Sequence, residues 1–240
     1  MSWNQPSQWN QPSVGADISV SDERVGAFLS RVYGWMFAGL MITAVTAFVV
    51  ASTPGLIETF IINRLVFWAI IIAQLGLVIY LSARVEKIAP VTAAGLFIVY
   101  SALVGVTTSV ILLVYTGTSI VSAFIIAGGM FGAMAVFGTV TSKSLAGWGQ
   151  FLFMGLIGII IASVVGFFFQ SDMLQFVISV VGVLVFTGLT AYDAQRMKQM
   201  AVSLPDGRVG AYSIVGALTL YLDFINLFFF ILRLSGGRRD

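Results

Sequence analysis

Long apolar runs separated by short polar breaks fill the chain from residue 32 onward. The runs fall near 32–52, 65–83, 90–115, 119–140, 148–169, 173–193 and 211–232. Each is about the 20 residues that a helix needs to cross a hydrocarbon core of about 30 Å. The pattern therefore predicts seven transmembrane helices. Turn formers and charges mark the breaks: Pro54-Gly55 with Glu58 and Arg64, Arg84 to Pro90, Thr116-Gly117, Lys143, Ser171-Asp172, and Pro205-Asp206-Gly207. The breaks after segments three and five are short enough to leave merged or re-entrant segments open. The first 31 residues are polar by contrast, and "WNQPS" occurs twice, as Trp3–Ser7 and Trp9–Ser13. Such a unit cannot bury a core. The expected organisation is a disordered tail over 1–24, a transmembrane domain over 25–234 and a short basic tail over 235–240. No basic stretch followed by a short apolar run opens the chain, so no cleavable signal peptide is expected.

Composition agrees with a membrane assignment: 59% of residues are hydrophobic and 9% charged, with a mean hydropathy of +1.01, whereas soluble domains carry about 25% charged residues. Cysteine and histidine are both absent. Disulfides, thiolate nucleophiles, Ser-His and Cys-His pairs and His-rich metal sites therefore have no material, and an enzyme is not expected. No cofactor is expected, and any metal site is left unassigned. The net charge of +2 reflects topology rather than nucleic-acid binding, because Lys and Arg concentrate in cytoplasmic loops. With the N-terminus inside, Arg24, Arg31, Arg84, Lys87, Lys143, Arg196, Lys198 and Arg208 lie inside and only Arg64 lies in an outside loop. A cytoplasmic N-terminus follows. Arg233, Arg238 and Arg239 oppose it if segment seven crosses fully, which is nonetheless the expectation.

Lipid supplies no hydrophobic drive for helices to associate, so close contacts should rest on small residues. Gly128, Gly129, Gly132 and Gly138 in segment four, Gly155 and Gly158 in segment five, and Gly182 and Gly188 in segment six are the candidates. Few ionisable groups lie away from segment ends. Asp223, in "TLYLDFINLFFF", lies 12 residues beyond Ala211, about 18 Å along a helix, where an acid costs about 2.5 to 3.5 kcal/mol. Asn226 follows one turn later. The bland reading is a buried carboxyl satisfied by Asn226 or a neighbouring helix; the sharper one is a proton-sensitive or ion-contacting acid. Asp193, in "AYDAQ" beside Tyr192, counts as near the cytoplasmic interface, and its importance depends on whether it meets Asp223. Two adjacent carboxylates cannot both ionise easily, so such a pair would titrate as a unit. Arg84 is the best placed cation for it, although a loop charge is the simpler account of Arg84 taken alone. Arg233 is expected to snorkel to the outer interface.

The strings "AYDAQ" and "TLYLDFINLFFFILRL" resemble the transmembrane Bax inhibitor motif family, in its bacterial inner-membrane branch, with similarity over roughly residues 25–234. The resemblance implies an all-α integral membrane protein, two three-helix layers around a central C-terminal helix. It places the family's paired aspartates on Asp193 and Asp223 and its second-segment arginine on Arg84. Some relatives carry an acid three turns before that arginine, where this chain has Gln74. The implied function is a passive, pH-sensitive cation leak, with Ca²⁺ as the expected permeant ion, gated by Asp193, Asp223 and Arg84 with Asn226, Tyr192 and Gln74 in support. Gln74 weakens the case for calcium, which favours carboxylate ligands. The alternative is an interaction protein that modulates a membrane-bound AAA protease through its N-terminal tail. Contact with nucleic acid is not expected.

Overall fold

The structure, a computed structural model, describes residues 14–169 and 171–237. Seven long helices carry it: α1 Val14–Ser52, α2 Arg64–Arg84, α3 Pro90–Val114, α4 Gly117–Val140, α5 Ala146–Phe169, α6 Asp172–Ser203 and α7 Val209–Ser235. All seven are long and apolar enough to cross a membrane, α1 from Glu23 onward. No strand occurs among the described residues. The tail boundary expected at residue 24 lies within α1, which begins at Val14; both "WNQPS" copies lie outside the described residues.

The short breaks are true helix ends. Thr116 caps α4 by accepting from the Ser119 N–H, and Ser171 caps α6 by accepting from the Leu174 N–H, so each satisfies one of the donors left bare at a helix start. Proline opens α3 at Pro90, where a missing N–H costs nothing. Helical turns over Pro54–Ile62 join α1 to α2.

Helices α1 and α2 both pack on α3, and α4 and α5 both pack on α6; α7 packs on α1 and α3 from the first trio and on α4 and α6 from the second. Its central place shows in burial: 67% of its apolar window is buried, against 11% for α2 and 39% for α6. The outward faces are apolar, with Ile72, Ile125 and Phe168 all more than 60% exposed, as a lipid-facing surface requires.

The helix ends alternate between two faces. On one, Arg24 donates to Leu204 O at 3.0 Å, Arg208 donates to Glu86 O at 3.1 Å, and Gln195 donates to Lys143 O at 2.9 Å. On the other, the Thr116 N–H donates to Gly237 O at 3.2 Å and the Gly237 N–H to Ser119 Oγ at 2.9 Å. Segment seven therefore runs the whole way across, away from the N-terminal face. The end of the expected basic tail, Arg238 to Asp240, lies outside the described residues.

The glycines divide. A Cβ at Gly182 would sit 2.6 Å from the Phe230 ring, one at Gly188 2.7 Å from Leu152, and one at Gly138 would run into the Ala191 carbonyl; Gly128, Gly129, Gly132 and Gly158 face open space. Close contact thus belongs to only part of the expected set. It also occurs at Gly39, where a Cβ would meet Phe97 at 2.5 Å, and at Gly105, where it would meet Thr43 O at 2.7 Å. These two let α1 and α3 approach closely.

Candidate functional site

Asp193 and Asp223 are 6% and 4% exposed, and their carboxyl groups lie within hydrogen-bonding reach of each other. The register that joins them comes from α6, which continues ten residues past Asp193 to Ser203, about 15 Å. The segment expected to end at residue 193 is carried on by Gln, Arg, Met and Lys, all good helix formers, and stops only before Pro205. Asp193 is accordingly an interior position of α6, while Gln195, two residues on, bonds to the loop at Lys143 and Leu145, so the pair lies within about a turn of that face. Asp223 is 14 residues beyond Val209 on α7, about 21 Å. In an antiparallel hairpin the two depths bring the carboxyls together.

Helix α7 is held in rotation by a polar contact on its other side. Thr43 Oγ1 donates to Ser101 O at 2.9 Å and lies 2.6 Å from the Tyr221 hydroxyl. Threonine has one hydroxyl proton, already given to Ser101 O, so Tyr221 is the donor in the second bond. Tyr221 is fully buried and edge-packed against Phe97 and Tyr100, with ring centroids 5.8 and 5.9 Å away. This contact ties α7 to α1 and α3 two residues before Asp223.

A cavity of about 560 Å³ lies between α5, α6 and α7 and is lined by Asp193, Asp223, Arg196, Tyr192, Gln150, Thr219 and Asn226 among others. Arg196 and Tyr192 are the other charged or titratable groups lining it. Asp223 Oδ2 is buried without a hydrogen-bond partner, a condition that costs about 1 to 3 kcal/mol for a polar atom. Among the described residues no group of three or more carboxylates gathers that could hold a metal.

Of the other expected residues, Tyr192 lines the cavity and packs its ring against Gly149. Asn226 lines it too, but its amide donates to Leu222 O at 2.8 Å, and Asp223 Oδ2 has no hydrogen bond from it. Gln74 is elsewhere: it donates to Thr107 Oγ1 at 3.1 Å and ties α2 to α3. Arg84 stands exposed at the end of α2 and does not line the cavity. The cation that acts on Asp193 is Arg196, three residues further on the same helix. That spacing, which puts two side chains on one helix face, was the signal in the sequence. Arg233 stacks over the Phe230 ring at 5.7 Å and donates to Gln175 at 3.3 Å, at the opposite face.

A seven-helix membrane bundle whose central helix carries a buried carboxyl in contact with a second one defines the class of protein. The family model "Inhibitor of apoptosis-promoting Bax1" matches residues 25–240. The chain is 46% identical over 226 residues to the inner membrane protein YbhL of Escherichia coli, covering 92% of this chain and 97% of the relative. It is also 46% identical over 215 residues to an uncharacterized protein of Borreliella burgdorferi (89% and 93%), and 35% identical over 239 residues to one of Caulobacter vibrioides (95% of each). The chain belongs to the Bax inhibitor family.

Proposed function

We propose that the chain is a low-throughput, pH-sensitive cation leak of a bacterial inner membrane, gated by the Asp193–Asp223 pair, with its N-terminal face towards the cytoplasm. The observation that carries this reading is the pair itself. Two buried carboxyls lie within hydrogen-bonding reach of each other, beside a cavity and an arginine. Structural packing alone would be served by apolar residues at lower cost, since a carboxyl in hydrocarbon is expensive.

Helix α5 contributes Gln150 to the cavity but no charge, and α7 contributes no charge besides Asp223. The local charge balance therefore rests on the pair and Arg196. In this reading the net negative charge of the pair draws the Arg196 guanidinium towards Asp223 on α7 as well as towards Asp193 on its own helix, and so restrains α6 against α7 at the cavity mouth. A further proton neutralises the pair, removes that attraction and leaves the mouth free, so flux rises as pH falls. Calcium is the cation that the family resemblance suggests. The carboxyl oxygens of the neutralised pair with the oxygens of Asn226, Gln150 and Thr219 would form an oxygen-lined path suited to transient contact rather than retention.

The test is calcium influx into proteoliposomes across mildly acidic to mildly alkaline pH, comparing the protein, Asp223→Asn and empty vesicles. Protein-dependent flux that rises towards acidic pH and loses that response in Asp223→Asn is expected. Flux no greater than in empty vesicles would remove the leak reading.

A further inference from the structure

The cavity around the aspartates has a neighbour on this side of the bundle, open towards the outer surface through Trp68 and Val164, which are 53% and 56% exposed. A second cavity of about 660 Å³ lies beyond it, lined in part by Trp68, Ser163, Phe230 and Asn226. Leu156, Phe186 and Asn226 line both, one from each of α5, α6 and α7. The cavities thus share a wall of two apolar side chains and one amide. Their linings differ in kind. The first holds the carboxyl pair, Arg196, Gln150 and Thr219, while the second offers little besides the Ser163 hydroxyl, the Trp68 indole and Asn226.

From these positions we propose that Leu156, Phe186 and Asn226 form a second barrier to the permeating cation, in series with the aspartate pair, and that the Asn226 carbonyl oxygen carries the ion across it. The inference rests on the leak reading above. A hydrated cation leaving the carboxyls meets apolar walls, where an ion without oxygen partners is costly and a hydrophobic constriction blocks conduction by excluding water. Asn226 is the one polar group among the three. Its amide nitrogen donates to Leu222 O at 2.8 Å, and its carbonyl oxygen is the atom that can face a cation. It stands three residues beyond Asp223, a rise of about 4.5 Å, one short step along α7. Phe186 is 4% exposed and braced by the Phe230 ring at 5.8 Å, whereas Leu156 on α5 is only half-buried, which makes Leu156 the side that can be trimmed at least structural cost.

Proteoliposome flux with Leu156→Ala, Asn226→Leu and Asn226→Ser tests this, with thermal unfolding in detergent to verify that each variant folds. Leu156→Ala should raise flux severalfold at every pH while keeping the pH response. Asn226→Leu should lower it about tenfold, in keeping with the cost of taking a charge past apolar walls, and Asn226→Ser, which restores an oxygen, should recover most of it. If Asn226→Leu does not fold, the Leu156→Ala arm decides. Wild-type flux with a normal pH response but no change in Leu156→Ala would overturn the second barrier and leave the leak standing. Flux absent from both wild type and Leu156→Ala would overturn both.

Discussion

The Tyr221–Thr43 contact allows two substitutions of nearly equal size to be ranked from hydrogen-bond direction alone. Tyr221→Phe removes a donor and leaves Thr43 Oγ1 still giving its proton to Ser101 O at 2.9 Å. The loss is one net hydrogen bond, about 1 kcal/mol, and within bundles of this kind bonds average about 0.6 kcal/mol. Thr43→Val removes the acceptor instead. The Tyr221 hydroxyl is fully buried and then has no partner, a desolvation penalty of about 1 to 3 kcal/mol. Ser101 O, in the middle of α3, keeps its helical N–H and adds little. Thr43→Val should therefore destabilise more than Tyr221→Phe, by about 1 kcal/mol or more, and the double variant should recover most of the difference because no orphan hydroxyl is left. Unfolding in mixed micelles titrated with a denaturing detergent measures all three. Equal destabilisation by the two single variants, or a larger effect of Tyr221→Phe, would refute the donor assignment and the proposed role of this contact in setting the rotation of α7.

Arg196→Gln should raise residual flux at alkaline pH and move the flux midpoint towards higher pH by roughly one unit, because the lost cation had favoured the charged pair; an unchanged profile would exclude Arg196 from the mechanism. Gly182→Ala should destabilise by about 1 to 3 kcal/mol through overpacking, since its Cβ would meet the Phe230 ring at 2.6 Å. Gly158→Ala, facing open space, should be neutral or stabilising by up to about 1 kcal/mol, so the same unfolding assay separates the two glycines. Gln74→Leu should cost about 0.6 to 1.7 kcal/mol of stability through the lost bond to Thr107 and leave the pH midpoint of flux unchanged; a moved midpoint would place Gln74 in the path.

The seven spans were legible because lipid imposes its length on each apolar run, and most expected boundaries agree with the helices to within a few residues. Segments one and six were the exceptions, α1 starting at Val14 and α6 running on to Ser203, because hydropathy marks where a helix leaves the membrane and not where it ends. The polar stretch Gln195–Ser203 reads as loop by hydropathy and as helix by propensity, and propensity prevailed. That difference hid the register of Asp193 against α7 and made its meeting with Asp223 invisible to spacing. Arg196 was legible at three residues from Asp193, yet the resemblance drew attention to Arg84, which lies exposed at the end of α2. The contact from Thr43 to Tyr221 spans 178 residues of sequence, and no periodicity encodes it. Glycine positions showed that close packing was available, while helix rotation decided which of them used it.

The single measurement that bears most directly on the central claim is the pH profile of cation flux for Asp193→Asn and Asp223→Asn, each reconstituted alone beside the unaltered protein. If the two carboxyls act as one titrating unit, both variants lose the pH response to the same degree while remaining folded. A normal response in either variant would contradict the account, because it would show that the gate needs only one of the two aspartates.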